Sequence, residues 1–186
     1  GIITLILFVK RQSKLDKPLI NLSILKNNYF MVGTIFICIL YSCLNGCTAL
    51  LPLFIQGIAY NSAIFSASVL LPGGLLIIVF NIIGPLLTNK IGIKKVLIMG
   101  CIISIIGFAA MMFYTQDSSF EFMTITQSIR YIGVGLALMP ATTWTLTMVS
   151  DKVEDGTAVN NTLRQIFAAI GSSMVVVIVA ILAGGA

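Results

Sequence analysis

Between Lys26 and Lys90 the chain runs through 63 consecutive positions without a charged residue. One helical crossing of a bilayer core takes roughly 20 apolar residues, so this run holds two crossings and a turn. The turn falls at Gln56, Gly57, Asn61 and Ser62, the one cluster of polar and glycine residues in the run that is long enough to meet water. Helical spans are therefore predicted over about 28–55 and 63–87. Farther on, 96–114 is uncharged, 122–149 carries only Arg130 and 157–183 carries only Arg164, which adds three more spans. Residues 1–9 read as the end of a preceding transmembrane helix. The spans are too long and too many for a signal peptide. They also lack the two-residue alternation of membrane β-strands. The expected fold class is an all-α integral membrane protein, a helical bundle. Composition agrees, since 58% of the 186 residues are apolar and 9% are charged, where a soluble domain is about a quarter charged. An apolar stretch already runs at Gly1 and another is still running at Ala186, so the chain reads as a piece of a longer protein.

Charge orients the spans. Lys10, Arg11, Lys14, Lys17, Lys26, Lys90, Lys94, Lys95 and Lys152 fall in alternate connections, while 56–62 and 115–121 hold no basic residue. The positive-inside rule places the basic set in the cytoplasm. Residues 10–27 form a basic cytoplasmic segment, read either as a linker or as a short interfacial helix with Leu15, Leu19, Leu22 and Leu25 on one face. Because the basic residues are dispersed among separate loops, no nucleic-acid partner is expected.

The spans carry little reactive chemistry. There is no histidine, and all six acids (Asp16, Asp117, Glu121, Asp151, Glu154, Asp155) stand in loops or at span edges. A membrane hydrolase needs a metal ligand set, a carboxylate pair or a nucleophile with a base. No enzyme, metal or cofactor is expected. Cys38, Cys43, Cys47 and Cys101 fall inside spans without a C-x-x-C pair and read as small apolar residues.

The two intramembrane arginines stand out, because a charge at depth is costly and usually faces a bundle interior or a watery cavity. Thr126, Arg130, Gly133, Ala137, Ala141 and Thr145 share one face of small and polar residues, a pattern that lets helices approach closely. A transport or interhelical role for Arg130 competes with snorkelling to the interface. For Arg164, with Asn160 one turn before it and the neighbouring Asn161 and Gln165, packing and snorkelling are evenly matched. Pro72, Gly73 and Gly74 sit mid-span and predict a hinge or bend. Asn45 is a candidate to touch substrate or to bond a neighbouring helix.

Several motifs resemble those of the major facilitator superfamily. Gly84-Pro85-Leu86-Leu87-Thr88-Asn89-Lys90-Ile91-Gly92-Ile93-Lys94-Lys95 is similar to its G-x-L-a-D-r-x-G-r-k signature at a cytoplasmic turn. Pro18–Lys26, Leu70–Gly74, Arg130 with Gly133-Val134-Gly135 and Pro140, and Gly156–Gln165 resemble, in this order, the C-terminal half of 14-spanner drug:proton antiporters of the EmrB/QacA type. Asn89 stands where the signature has aspartate and Pro85 where it has its first glycine. The resemblance implies two six-helix bundles rocking about a central cavity. This chain would supply five helices of the second, with Asn89, Lys90, Gly92, Lys94 and Lys95 as a gating loop. It also implies, as partners, the N-terminal half of the same transporter, the lipid bilayer, protons and a small amphipathic or cationic substrate. The function so implied is proton-coupled multidrug or antibiotic efflux at the plasma membrane. An importer, a sensor, or a membrane assembly subunit without transport are the alternatives.

Overall fold

The computed structural model describes residues 22–57 and 62–184. Five helices account for nearly all of it: α1 (Asn28–Gly57), α2 (Ala63–Ile91), α3 (Ile93–Met111), α4 (Phe120–Thr147) and α5 (Val153–Gly184). Short 3₁₀ turns, Leu22–Lys26 and Ser150–Lys152, precede α1 and α5. The segment read as a stub at 1–9, and most of the 10–27 segment, lie outside the described residues; its described end is the first of these 3₁₀ turns.

The helix starts follow from local chemistry. The first amides of a helix have no partner within it, and a side-chain oxygen at the preceding position supplies one. Ser62 Oγ accepts from the Phe65 amide at 3.2 Å and Ser119 Oγ from the Phe122 amide at 3.2 Å. Asn27 Oδ1 accepts from the Tyr29 amide at 3.0 Å, and its Nδ2 donates to the Met148 carbonyl at 2.9 Å. That second bond ties the start of α1 to the end of α4.

Pairs of close contacts give the helix directions. Gly107 meets the Arg130 backbone and Gly100 meets Gly133 and Ala137, so α3 and α4 run antiparallel. Gly73 meets Tyr131 and Gly84 meets Leu136 and Pro140, so α2 and α4 run parallel. Gly33 meets Thr145 while Arg130 reaches Leu44, which makes α1 antiparallel to α4. Ser42 meets Gly171 and Phe30 meets Gly156, so α1 and α5 run side by side in one direction. The chain thus goes up and down in turn, which collects Lys26, Lys90, Lys94, Lys95 and Lys152 at one end and leaves Asp117 at the other.

Among the described residues, four segments are long and apolar enough to cross a membrane: α1, α2, α3 and Ser150–Ile181. The fifth predicted span, α4, matches them in length at 28 residues but carries Glu121, Gln127, Arg130 and six threonines. Its position explains this. It is the central helix, packed on α1, α2 and α3, and even Leu136, off the small-residue face that carries Arg130, is buried at 4% exposure. A helix wrapped by other helices does not need the all-round apolar surface that lipid demands. The outer faces of α2 and α3, with Leu71, Leu75, Ile78, Ile102 and Ile105 exposed, show the complementary pattern.

Candidate functional site

The site begins with how closely α3 and α4 approach. A β-carbon added to Gly107 would lie 2.7 Å from the backbone nitrogen and Cα of Arg130, and one added to Gly100 would lie 2.8 Å from the Gly133 carbonyl. Gly133 in turn abuts Ser104. The small face of α4 therefore meets a small face of α3, Gly100, Ser104 and Gly107, and the two backbones touch. α3 fills the space beside Gly133. Thr126 is buried on the same helix, and its hydroxyl donates to the Phe122 carbonyl of its own helix at 2.8 Å.

Arg130 is fully buried. Its guanidinium crosses to α1, where one terminal nitrogen donates to the Leu44 carbonyl at 3.1 Å and the other to Thr48 Oγ1 at 3.3 Å. Thr48 Oγ1 lies 2.7 Å from the Leu44 carbonyl and 3.2 Å from the Tyr131 hydroxyl, which closes a small polar network. The guanidinium carbon stands 4.6 Å from the Tyr131 ring centre and 5.7 Å from that of Phe108. Aromatic faces carry negative potential and offset part of the cost of burying the cation. Among the described residues no carboxylate joins this network, and Nε has no hydrogen-bond partner there. Arg130 is thus an interhelical group clamping α4 to α1.

Arg164 also turns inward. It is half-buried, with its guanidinium carbon 4.4 Å from the Tyr41 ring centre on α1. Asn160 is 2% exposed and neither of its side-chain polar atoms has a partner. Asn161 and Gln165 lie on the exposed side of α5.

The other sequence candidates are placed as follows. Asn45 is half-buried, and its Nδ2 donates to the Tyr41 carbonyl of its own helix at 2.9 Å. α2 continues unbroken through Pro72, Gly73 and Gly74. Gly73 is the landing place of the Tyr131 ring, whereas nothing stands within 4 Å of a β-carbon at Gly74. The predicted gating loop is not a loop. Asn89 and Lys90 end α2, Lys94 and Lys95 begin α3, and Gly92 alone joins them with φ +85° and ψ 150°, backbone geometry reached essentially by glycine only. The three lysines and Asn89 are exposed. Asn89 also borders a 410 Å³ hollow shared with Pro85, Thr88, Pro140 and Trp144.

Sequence reasoning passed over Gln127, Tyr131 and Tyr41. Gln127 is fully buried, and its Nε2 donates to the Tyr114 hydroxyl at 3.5 Å while Oε1 has no partner. Its spacing from Arg130 was visible, but only the packing of α3 shows that it points inward. Tyr114 closes one side of an apolar pocket of 480 Å³ with Leu50, Leu51, Leu53, Phe54 and Met111.

Comparison with known proteins adds the family. The profile of the Major Facilitator Superfamily matches residues 3–172. The chain is 32% identical over 179 residues to the lincomycin resistance protein LmrB of Listeria innocua, covering 96% of this chain and 38% of that protein. It is 28% identical over 179 residues to the MFS-type transporter YhcA of Bacillus subtilis, with 96% of this chain and 34% of the relative covered. It is 29% identical over 174 residues to the multidrug transporter protein MdtP of Bacillus subtilis, with 93% and 31% covered. The chain therefore spans about a third of the length of these relatives. No solved structure matches it. Matched along nearly its whole length and folded as apolar helices of membrane length around one polar helix, the chain belongs to the Major Facilitator Superfamily.

Proposed function

We propose that this chain is part of the C-terminal half of a drug exporter of the 14-spanner type, driven by the proton gradient across the plasma membrane. The observation that carries the reading is the 32% identity to a lincomycin resistance protein over 96% of the chain. In this reading all five helices cross the bilayer, and the lysine-bearing end faces the cytoplasm because basic connections are retained there. The central helix α4 is the element that alternating access moves against the rest. Arg130 couples it to α1 through the Leu44 carbonyl and Thr48, so a shift of α4 is felt on α1. The exposed lysines around Gly92 engage the other half of the transporter in one state and release it in the other. The acid that exchanges protons belongs to another part of the protein, because Asp117, Glu121, Asp151, Glu154 and Asp155 all stand in connections or first turns.

The experiment is dye efflux from cells expressing the full reading frame, with and without an uncoupler. Efflux is expected to stop when the proton gradient collapses. Efflux indifferent to the uncoupler sinks the coupling, and accumulation in place of efflux favours an importer.

A further inference from the structure

We propose that Arg164 and Asn160 form a receptor for a carboxylate on the face shared by α1 and α5. The assignment rests on the transporter reading only in placing this face toward the path of the substrate.

Three observations converge. First, the Arg164 guanidinium lies against the Tyr41 ring, 4.4 Å from its centre, and its Nε is buried without an acceptor. A ring that holds one face of a guanidinium leaves its planar edge of N–H donors to a ligand, and that edge matches the two oxygens of a carboxylate. Second, Asn160 is 2% exposed with neither Nδ2 nor Oδ1 partnered. It precedes Arg164 by one turn, so the two side chains share a helix face. Buried polar groups are nearly always paired, and two orphan donors on adjacent turns mark an absent acceptor. Third, among the described residues no acid is placed to serve. The acids on α5, Glu154 and Asp155, stand in its first turn, and Asp155 is about 14 Å from Arg164 along the axis at 1.5 Å per residue. A single guanidinium beside an amide matches one negative charge, which favours a carboxylate over a phosphate. Asn161 and Gln165, next round the helix, are exposed.

The carboxylate belongs either to the transported molecule or to a side chain elsewhere in the full transporter. Purified full-length protein separates the two, with sodium benzoate as the probe against sodium chloride at equal ionic strength and the thermal unfolding midpoint as readout. For a substrate carboxylate, benzoate raises the midpoint of the wild type, and Arg164→Gln and Asn160→Leu each weaken that response about tenfold or more, the loss of roughly one charge-assisted bond. For a side-chain carboxylate, benzoate shifts nothing and Asn160→Leu lowers the midpoint. Should Arg164→Gln fail to fold, Asn160→Leu alone decides. The assignment is overturned if benzoate shifts nothing and Asn160→Leu leaves the midpoint unchanged or raises it, as for an orphan amide replaced by an apolar group of similar shape. It is overturned equally if both variants keep the full benzoate response. Dye efflux by the wild type judges the transporter reading separately: efflux intact with no benzoate response and a stabilised Asn160→Leu sinks the receptor alone, while a benzoate response without efflux sinks only the transporter reading.

Discussion

Replacing Arg130 by methionine should remove transport while leaving the fold nearly as stable as before. The guanidinium is fully buried, donates to the Leu44 carbonyl and Thr48 Oγ1, and faces no carboxylate among the described residues. Losing two hydrogen bonds to a charged group costs about 3–6 kcal/mol in total. Against this, the wild type bears a desolvation penalty of several kcal/mol for the lone cation, which methionine does not. The substitution also orphans no acceptor. The Leu44 carbonyl keeps its bond from Thr48 Oγ1, and that oxygen keeps the Tyr131 hydroxyl as neighbour. The opposing terms nearly cancel, so Arg130→Met is expected within about 2 kcal/mol of wild type on these magnitudes. Arg130→Ala empties the same volume and adds a cavity penalty of about 2–5 kcal/mol. Arg130→Lys keeps the charge but loses the fork that spans both acceptors, and should be destabilised by about 2–4 kcal/mol. The assay is thermal unfolding of the full-length transporter in lipid discs, paired with dye efflux. A methionine variant as unstable as the alanine variant refutes the charge argument, and a methionine variant that transports normally refutes the coupling role.

Three further outcomes follow from the geometry. Single cysteines at Lys94 and Asp117 should be labelled from opposite sides of intact cells, because α3 alone is 19 residues long and so separates them by about 28 Å; labelling of both from one side breaks the topology. Gly73→Ala should destabilise the protein by about 1–3 kcal/mol through its clash with the Tyr131 ring, whereas Gly74→Ala, facing open space, should be neutral or stabilising by up to about 1 kcal/mol. Unfolding midpoints check the pair, and slowed transport in a stable Gly74→Ala variant would mark a hinge at this point of α2. Gly92→Ala and Gly92→Asn should both cost about 1–3 kcal/mol, since the joint between α2 and α3 lies outside the left-handed helical region that asparagine tolerates; rescue of stability by asparagine would show a different joint.

The amino-acid sequence by itself determined the medium and the five long helices seen among the described residues. Runs of apolar residues broken by lysine clusters are a one-dimensional signal, and hydrocarbon reads them almost directly. The small face of α4 was legible for the same reason, as spacing along one helix. What depends on two helices at once was not legible. The reach of Arg130 to Leu44 and Thr48 joins positions more than 80 residues apart. That its neighbourhood is filled, not hollow, depends on Gly100, Ser104 and Gly107 of α3 lying in register with α4. The expected loop shrank to one residue for a related reason: proline and glycine report what a backbone tolerates, whereas Tyr131 against Gly73 and the single-residue joint at Gly92 come from how neighbouring helices pack. Tertiary structure alone decided which polar groups found partners, because satisfaction of a buried hydrogen bond is a property of a pair.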